Sequence, residues 1–300
     1  MNSLPLCLRL PLLFGLALST CLPAQAGISY STVDSLYSEN FDSLPTDPPS
    51  NANLQGTGTG LYTSGWADDT TTVAGTRISV PGWYLYHPLG PLTEGGANGH
   101  QRIRFGTGAN TGGFWAFSNS NAANPEKALG NIGSAVTAND GDIMRIAVRL
   151  VNNTGVALSK FTVTYDGEQW RDGQSASPET LSFGYSLSVG VLDWTNAVFN
   201  GVAALNFTSP VFSGVGTSGN VVDGNVAGRV ADITATIDGI DWEPGAELWL
   251  QWSDPQLAAN ADDGLAIDNV RFTASVPEPS SFALLGLAAA GWLAFRRRRK

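Results

Sequence analysis

The sequence predicts an all-β fold, an antiparallel two-sheet β-sandwich of jelly-roll type, followed by one short C-terminal transmembrane helix. Short segments in which apolar and polar residues alternate are separated by loops rich in Gly, Ser, Thr and Asn. No stretch between the two chain ends keeps the 3.6-residue period of a helix. The 300 residues divide into segments 1–26, 27–275 and 276–300, and the middle one is too long for an immunoglobulin-like unit of about 100 residues.

Residues 1–26 have the pattern of a secretory signal peptide. They carry one cation, Arg9, then an apolar core from Leu10 to Leu22, then the small residues Ala24 and Ala26. A cation, a short apolar run and a small-x-small site are typical of such a signal. We expect cleavage after Ala26 and secretion of the remaining chain.

Cleavage at this position changes the cysteine count and the charge. Both cysteines lie in the removed segment, which excludes a disulfide framework, a thiolate metal site and a cysteine nucleophile. All 26 acidic residues lie between Asp34 and Glu278, whereas six of the 16 lysines and arginines lie outside that span. The ten remaining cations leave a net charge of about −16, which repels phosphate backbones and argues against a nucleic-acid partner.

Four segments of the body show the two-residue period of half-buried strands most clearly. They are 143–152, 160–165, 181–189 and 247–252. In the last of them, Leu248, Leu250 and Trp252 share one face, and Trp249 lies on the opposite, polar face. Trp83, Trp115 and Trp252 are expected in the core.

Acidic residues stand at both edges of the body. Glu39 and Asp42 flank Phe41 near its start, and Asp268 interrupts an apolar strand near its end. The apolar face switches at Asp268-Asn269, which predicts a β-bulge. A carboxylate in such a strand needs a partner, because burial of an unpaired charge is costly.

The two edges resemble those of jelly-roll carbohydrate-binding modules, which open with an acidic residue beside a Phe and close on an apolar-Asp-Asp/Asn-apolar strand. In that family these strands lie close together and share a structural calcium ion. The resemblance implies Glu39 or Asp42 and Asp268 as calcium ligands, with Asp262 or Asp263 as further candidates. Calcium suits such a site because it takes six to eight hard oxygens in irregular geometry. The alternative is that turn amides at the bulge satisfy Asp268.

A second candidate site is the segment 165–172, which contains Glu168 and Trp170. If the strand stays regular past Gly167, Trp170 extends its outward face, and Trp249 also lies on a polar face. Aromatic faces stack on sugar rings, so these three residues are candidate glycan contacts. The alternative for Trp170 is a structural or ion-pairing role, since large β-sandwiches bury most of their tryptophans.

Enzyme signatures are absent from the sequence. The two histidines, His87 and His100, form no HExxH pattern, and no GxSxG or ExDxxE pattern occurs. A two-carboxylate glycan hydrolase stays open as an alternative, because 26 acidic residues always offer some pair at suitable spacing.

The C-terminal segment combines three features in a fixed order. Pro277-Glu278-Pro279 is followed by the apolar run Phe282–Phe295 and by a terminal cluster of cations, which comprises Arg296, Arg297, Arg298, Arg299 and Lys300. The run has 14 residues, about 21 Å of helix, against a hydrocarbon core of about 30 Å. The cations are expected to stop transfer on the cytoplasmic side, which leaves the body outside the membrane. A permanent anchor is one interpretation of this segment.

This order closely resembles the PEP-CTERM sorting signal of Gram-negative bacteria. In that family an exosortase, a membrane protease, is thought to cut near the Pro-Glu-Pro and to release the body or attach it at the cell surface, commonly in producers of exopolysaccharide. The resemblance implies an exosortase partner at the inner membrane and transient anchoring by the helix.

We therefore expect a secreted protein of the cell surface or extracellular matrix that binds exopolysaccharide without cleaving it, with structural Ca²⁺ as the one cofactor. The alternatives are a structural or adhesive coat protein without a defined ligand and a secreted glycan hydrolase.

Overall fold

The computed structural model of the chain describes residues 27–44, 80–86, 103–107, 113–118, 126–133, 143–187, 197–214, 219–255 and 262–276. These residues form fifteen β-strands and one turn of 3₁₀ helix, Ala203–Leu205. The strands lie in two sheets, so the predicted all-β, two-sheet sandwich is confirmed.

The first sheet has seven strands in the order β1-β7-β14-β9-β10, with β3 also paired to β7 and β11 to β9. Their bounds are β1 Ile28–Tyr30, β3 Trp83–Tyr86, β7 Ile143–Asn152, β9 Thr180–Ser186, β10 Asn200–Gly201, β11 Phe207–Thr208 and β14 Glu247–Pro255. Its central strands β7 and β14 are antiparallel, and Leu248 faces Leu150 across them. At the sheet edge β1 runs parallel to β7, a pairing that the alternating pattern did not predict.

The second sheet has eight strands in the order β12-β8-β15-β6-β5-β4, with β13 also paired to β8 and β2 to β15. Their bounds are β2 Tyr37–Glu39, β4 Ile103–Gly106, β5 Gly113–Phe117, β6 Ala128–Ile132, β8 Leu158–Asp172, β12 Asn220–Val221, β13 Arg229–Trp242 and β15 Gly264–Ser275. The closing strand β15 is therefore internal, with β8 on one side and β2 and β6 on the other.

The two sheets meet over a core of aromatic and branched aliphatic side chains. Trp252 of the first sheet contacts the ring of Tyr165 in the second, edge to face, with centroids 5.5 Å apart. Trp252 also stacks on Trp83 at 5.7 Å and meets Phe183 edge to face at 5.2 Å. Each of these aromatic rings removes about 150–250 Å² from water, so the group supplies much of the hydrophobic stabilisation.

A smaller core covers part of the outer face of the second sheet. It consists of six buried side chains from four strands, namely Trp115, Phe117, Ala128, Ile132, Trp170 and Ala266. The ring of Phe117 is stacked between Trp115 at 5.6 Å and Trp170 at 6.0 Å. The outer face of β8 is consequently dry at Trp170, although it is open to water at the other end of the strand.

The beginning of the body is tied to its end by one buried hydroxyl. The Tyr30 hydroxyl lies 2.9 Å from the Ser35 carbonyl and 3.0 Å from the Ala274 carbonyl, either of which can accept its one proton, and it accepts the Ala274 N–H at 2.8 Å. The contacts with Ala274 span 244 residues of sequence. The Tyr30 ring also packs edge to face on Phe272 of β15, at 5.4 Å.

We expect Tyr30→Phe to lower the free energy of unfolding by about 1–3 kcal/mol, because it leaves the buried Ala274 N–H without its acceptor. Urea denaturation measures the effect. Thr236→Val is the control, since it removes a hydroxyl whose bond to Thr162 is exposed, and it should change stability by less than about 0.5 kcal/mol. Equal effects of the two substitutions would contradict the role given to Tyr30.

Candidate cation-binding site

Three carboxylates from different parts of the second sheet converge on one point. Oxygens of Glu126, Glu168 and Asp268 all lie within 4.8 Å of one another. Glu168 lies on β8 and Asp268 on the neighbouring β15, where Ala266 pairs with Glu168 and Asp268 with Asp166. Glu126 stands just before β6, the strand on the other side of β15. Strand pairing therefore brings the three acids together.

The acids of this cluster are held where charge is costly. Glu168 is 1% exposed and Asp268 is 2% exposed. Burial, reinforced by the neighbouring carboxylates of Glu126 and Asp268, raises the pKa of Glu168 to about 9. Burial, again reinforced by nearby acids, raises the pKa of Asp268 to about 8. At neutral pH these side chains need either protons or a cation.

Hydrogen bonds satisfy only part of the cluster. The indole N–H of Trp170 donates to Glu168 Oε2 at 2.9 Å, and the side-chain amide of Asn269 donates to Asp268 Oδ2 at 2.8 Å. Asp268 Oδ1 is buried and accepts no hydrogen bond from any residue that the structure describes. A buried carboxylate oxygen in this state is a ready ligand for a metal ion.

The opening segment of the body adjoins the cluster through Asp42. The Lys127 N–H donates to Asp42 Oδ1 at 3.1 Å, and the Lys127 ammonium donates to the Asp42 carbonyl at 3.2 Å. These bonds hold Asp42 against Lys127, the neighbour of Glu126 in the sequence. Its negative charge contributes to the raised pKa values of Glu126 and Asp268.

The structure separates the five metal ligands that the resemblance implied. Asp42 lies near enough to Asp268 for its charge to raise the pKa of that residue. Glu39 is instead directed at its own turn, where it accepts the Phe41 N–H at 2.8 Å. Asp262 and Asp263 come just before β15, six and five residues before Asp268, and belong to a second group of acids.

This second group contains buried carboxylates near the ends of four strands, namely Asp172, Glu179, Asp254, Asp262 and Asp263. Glu179 Oε2 accepts the Asp263 N–H at 2.8 Å, and Asp263 Oδ1 accepts the Gly173 N–H at 2.6 Å. Burial, with the charge of Asp263, raises the pKa of Glu179 to about 8, and burial raises that of Asp254 as well. Arg171 provides one guanidinium there and donates to the Asp262 carbonyl.

Two of the three carboxylates at the candidate cation site were not predicted to be there. Glu168 was predicted to contact a glycan, but its carboxylate lies among the cluster acids. Glu126 was not predicted at all, because a single Glu before a strand carries no signal of its own. Its position follows from the β5–β6–β15 pairing, which joins segments far apart in sequence.

Both tryptophans proposed as glycan contacts are buried. Trp170 is 0% exposed within the outer core, where its N–H binds Glu168. Trp249 is also 0% exposed and packs on Tyr84 with centroids 4.8 Å apart, and its N–H binds Glu247 Oε2 at 2.8 Å. Neither ring offers a free face for stacking on sugar. The alternation was correct, but other chain segments cover the outward face at both positions.

The predicted bulge is confirmed. The pairing of β15 with β8 shifts register between Asp268 and Arg271, and Asn269 adopts a left-handed φ of 49°. The expected core positions of Trp83, Trp115 and Trp252 are confirmed as well.

Several predicted features lie outside the described residues. They are the signal cleavage site at Ala24 and Ala26, the Pro277-Glu278-Pro279 motif, the helix Phe282–Phe295 and the terminal cations. Among the residues that the structure does describe, no helix is long and apolar enough to cross a membrane.

Residues 275–299 match the family described as the PEP-CTERM protein-sorting motif. The chain thus carries the sorting signal of a secreted, exosortase-processed surface protein, as its C-terminal residues predicted. No match to the chain is found among curated proteins.

Several solved structures resemble the sandwich distantly. A carbohydrate-binding module in complex with β-1,4-galactotriose has 12% identity and a TM-score of 0.26, and the match covers 52% of this chain and 76% of that one. The K3 adhesin domain of Lys-gingipain from Porphyromonas gingivalis has 11% identity and a TM-score of 0.31, with 52% and 79% covered. A putative sugar-binding protein from Bacteroides thetaiotaomicron has 9% identity and a TM-score of 0.29, with 66% and 90% covered. Similarity at this level does not transfer a ligand to the chain.

In the presence of EDTA, we expect the free energy of unfolding to fall as pH rises from about 5 to about 9. The folded chain keeps protons on Glu168 and Asp268 up to pKa values of about 9 and 8, whereas the unfolded chain releases them near pH 4. Stability therefore falls by about 1.4 kcal/mol per pH unit for each such proton.

Urea denaturation at a series of pH values measures this slope. Glu168→Gln removes one titrating group and should make the slope less steep by about 1.4 kcal/mol per pH unit. Asp238→Asn, at an exposed aspartate on β13, should leave the slope unchanged. A slope identical in wild type and Glu168→Gln would be the contrary result.

Proposed function

We propose that this chain is a secreted, exosortase-sorted protein of the cell surface or extracellular matrix whose β-sandwich binds Ca²⁺ and, in that form, binds exopolysaccharide without cleaving it. The carrying observation is the convergence of Glu126, Glu168 and Asp268 oxygens within 4.8 Å, with Asp268 Oδ1 buried and unpartnered among the described residues. Asp42 is the fourth proposed ligand.

A divalent cation fits the chemistry of this cluster better than a shared proton. One proton stabilises one pair of carboxylates, whereas three or four buried acids need at least two positive charges to become ionised together. Carboxylate oxygens are hard ligands, which disfavours metals that prefer nitrogen or sulfur. Calcium accepts the irregular arrangement that strand pairing imposes, whereas Mg²⁺ demands near-ideal octahedral geometry and retains several waters.

A catalytic role fits the same acids poorly. A glycan hydrolase needs two carboxylates that face the scissile bond. Glu168 and Asp268 are 1% and 2% exposed, so a polysaccharide chain does not reach them. Their burial supports a binding protein over an enzyme.

Two observations support a polysaccharide partner: the sorting motif at the C-terminus and the negative charge of the body. The sorting motif at residues 275–299 supports delivery to the cell surface, after transient anchoring at the inner membrane and cleavage by exosortase. A strongly acidic body repels nucleic acids and does not repel neutral glycans. A coat protein without a defined ligand is the competing proposal.

We expect Ca²⁺ at 100 times its dissociation constant to raise the free energy of unfolding by about 2.7 kcal/mol over the same protein in EDTA. The ion binds the folded cluster and has no comparable site in the unfolded chain. Thermal melts with EDTA, Ca²⁺ or Mg²⁺ measure this, and Mg²⁺ should give the smaller shift.

Glu168→Gln should abolish most of the calcium-dependent shift because it removes one ligand charge, and Asp238→Asn should preserve it. If the midpoint is the same in EDTA and Ca²⁺, the calcium proposal is wrong.

The protein purified as the cell secretes it should be retained on the producer's own exopolysaccharide in Ca²⁺ and should release no reducing sugar during incubation. Affinity gel electrophoresis through the embedded polysaccharide measures retention. Equal mobility in gels with and without polysaccharide would favour the coat protein. Release of reducing sugar that is lost on mutating one carboxylate would favour the hydrolase.

A further inference from the structure

A polar groove lies on the outer face of the second sheet, beside the cation cluster. Its volume is about 640 Å³. Eight side chains line it, namely Ser38, Glu39, Asn40, Asp166, Arg229, Asp232, Asn269 and Arg271. We infer that this groove is the polysaccharide-binding site, that its ligand is a neutral, hydroxyl-rich sugar chain, and that Asn269 couples it to the cation site. The calcium dependence of this site rests on the proposed function, whereas the groove is inferred from its geometry alone.

Two β-bulges build the groove on either side of Asp166. On one side β13 shifts its register against β8 between Val230 and Ile233. On the other side β15 shifts against the same strand between Asp268 and Arg271. Bulges redirect side chains and are common next to functional sites. Here the two bulges stand at the same level of β8 and widen the sheet around one aspartate.

Each bulge holds a non-glycine residue in the left-handed region. Asp232 has a φ of 55° on β13, and Asn269 has a φ of 49° on β15. Aspartate and asparagine tolerate this conformation better than most residues, yet it is sparsely populated and requires support from its surroundings. Residues in sparsely populated backbone conformations cluster at functional sites, and here they lie on the two strands that flank β8.

Asp166 provides that support as the organising residue of the groove floor. Its Oδ1 accepts the Asp232 N–H at 2.8 Å, and its Oδ2 accepts from Arg229 at 2.7 Å and from the Asn269 amide at 3.0 Å. These three hydrogen bonds fix their donors around the Asp166 carboxylate.

The lining defines the chemical class of the ligand. Guanidinium, carboxylate and amide groups form an array of hydrogen-bond donors and acceptors, which matches the vicinal hydroxyls of a sugar. Two arginines against three acids leave a formal charge of −1, on a body that is itself strongly acidic. Uronates and phosphates are therefore disfavoured, and a neutral sugar chain is favoured.

Asn269 connects the groove with the cation cluster. Its side-chain N–H₂ donates to Asp166 Oδ2 at 3.0 Å and to Asp268 Oδ2 at 2.8 Å. A cation that coordinates Asp268 fixes the position of that carboxylate, and the amide transmits the position to the groove floor. Coupling of this kind is reciprocal, so a bound sugar must raise the affinity for the cation by the same factor.

The groove is tested by affinity gel electrophoresis of the secreted protein in two defined polymers, neutral dextran and anionic polygalacturonate, and in the producer's own exopolysaccharide. The test pair is Asp232→Asn and Asp238→Asn, two exposed aspartates of β13 of which only the first lines the groove. Asparagine keeps the left-handed backbone and removes the charge. We expect Asp232→Asn to weaken retention about tenfold and Asp238→Asn to leave it unchanged.

Arg271→Gln is a second groove variant, at a half-exposed side chain that pairs with Asp232. It should weaken retention to a similar extent without changing the melting midpoint beyond a few degrees, because exposed ion pairs contribute little to stability. Retention on a neutral polymer that is equal in wild type and in both groove variants overturns the groove. Retention on polygalacturonate but on neither dextran nor the exopolysaccharide overturns the assigned ligand class.

Asn269→Gly tests the coupling, since glycine accepts the positive φ and removes the amide. We expect this variant to keep the calcium-dependent rise in melting midpoint and to retain sugar equally weakly in Ca²⁺ and EDTA. Calcium-dependent retention that survives in Asn269→Gly overturns the coupling. The melting midpoint of the wild type could also be unchanged by Ca²⁺ while Asp232→Asn still weakens retention. That result would contradict the calcium function and the coupling but would support the groove.

Discussion

The pairing of β8 with β15 is the constraint on which the rest of the structure depends. It places the last strand of the domain in the interior of a sheet, so the sheet is complete only when β15 has paired with its neighbours. The same pairing brings Glu168 and Asp268 side by side and buries both. Like charges at the centre of a sheet oppose that pairing, and the proposed cation would offset their repulsion.

Polar groups in this sheet are connected by hydrogen bonds that run from the outer aromatic core to the groove. The outer aromatic core keeps water from Trp170, which in turn donates to Glu168. From the acid cluster the hydrogen bonds continue through Asn269 to Asp166, and from there to the groove surface. A buried network of this kind is rigid only when every member is satisfied. Asp268 Oδ1 is buried and accepts no hydrogen bond from the described part of the chain, so we propose it as a point where a ligand binds the network.

The local sequence pattern was sufficient to predict the strands and their faces, but not which other segments pack over the outer faces. Alternation in segments such as Ile143–Asn152 identified the core faces, because a period of two reports directly which side of a strand is dry. The loss of that alternation at Asp268 identified the bulge. Trp170 and Trp249 were assigned to an outer face correctly, yet strands and loops from distant sequence cover both. Glu126 could not be predicted, because its role depends on long-range pairing that no local signal encodes.

The direct connection between β15 and the sorting motif has a mechanical consequence. The strand ends at Ser275, and the motif begins at that same residue. Tension on the C-terminal end is therefore applied along β15, parallel to the strand and across the ladders that join it to β8, β6 and β2. Hydrogen bonds loaded in shear must break together rather than one after another. If the tail anchors the protein as proposed, β15, which pairs with three other strands, is the strand that bears the pull.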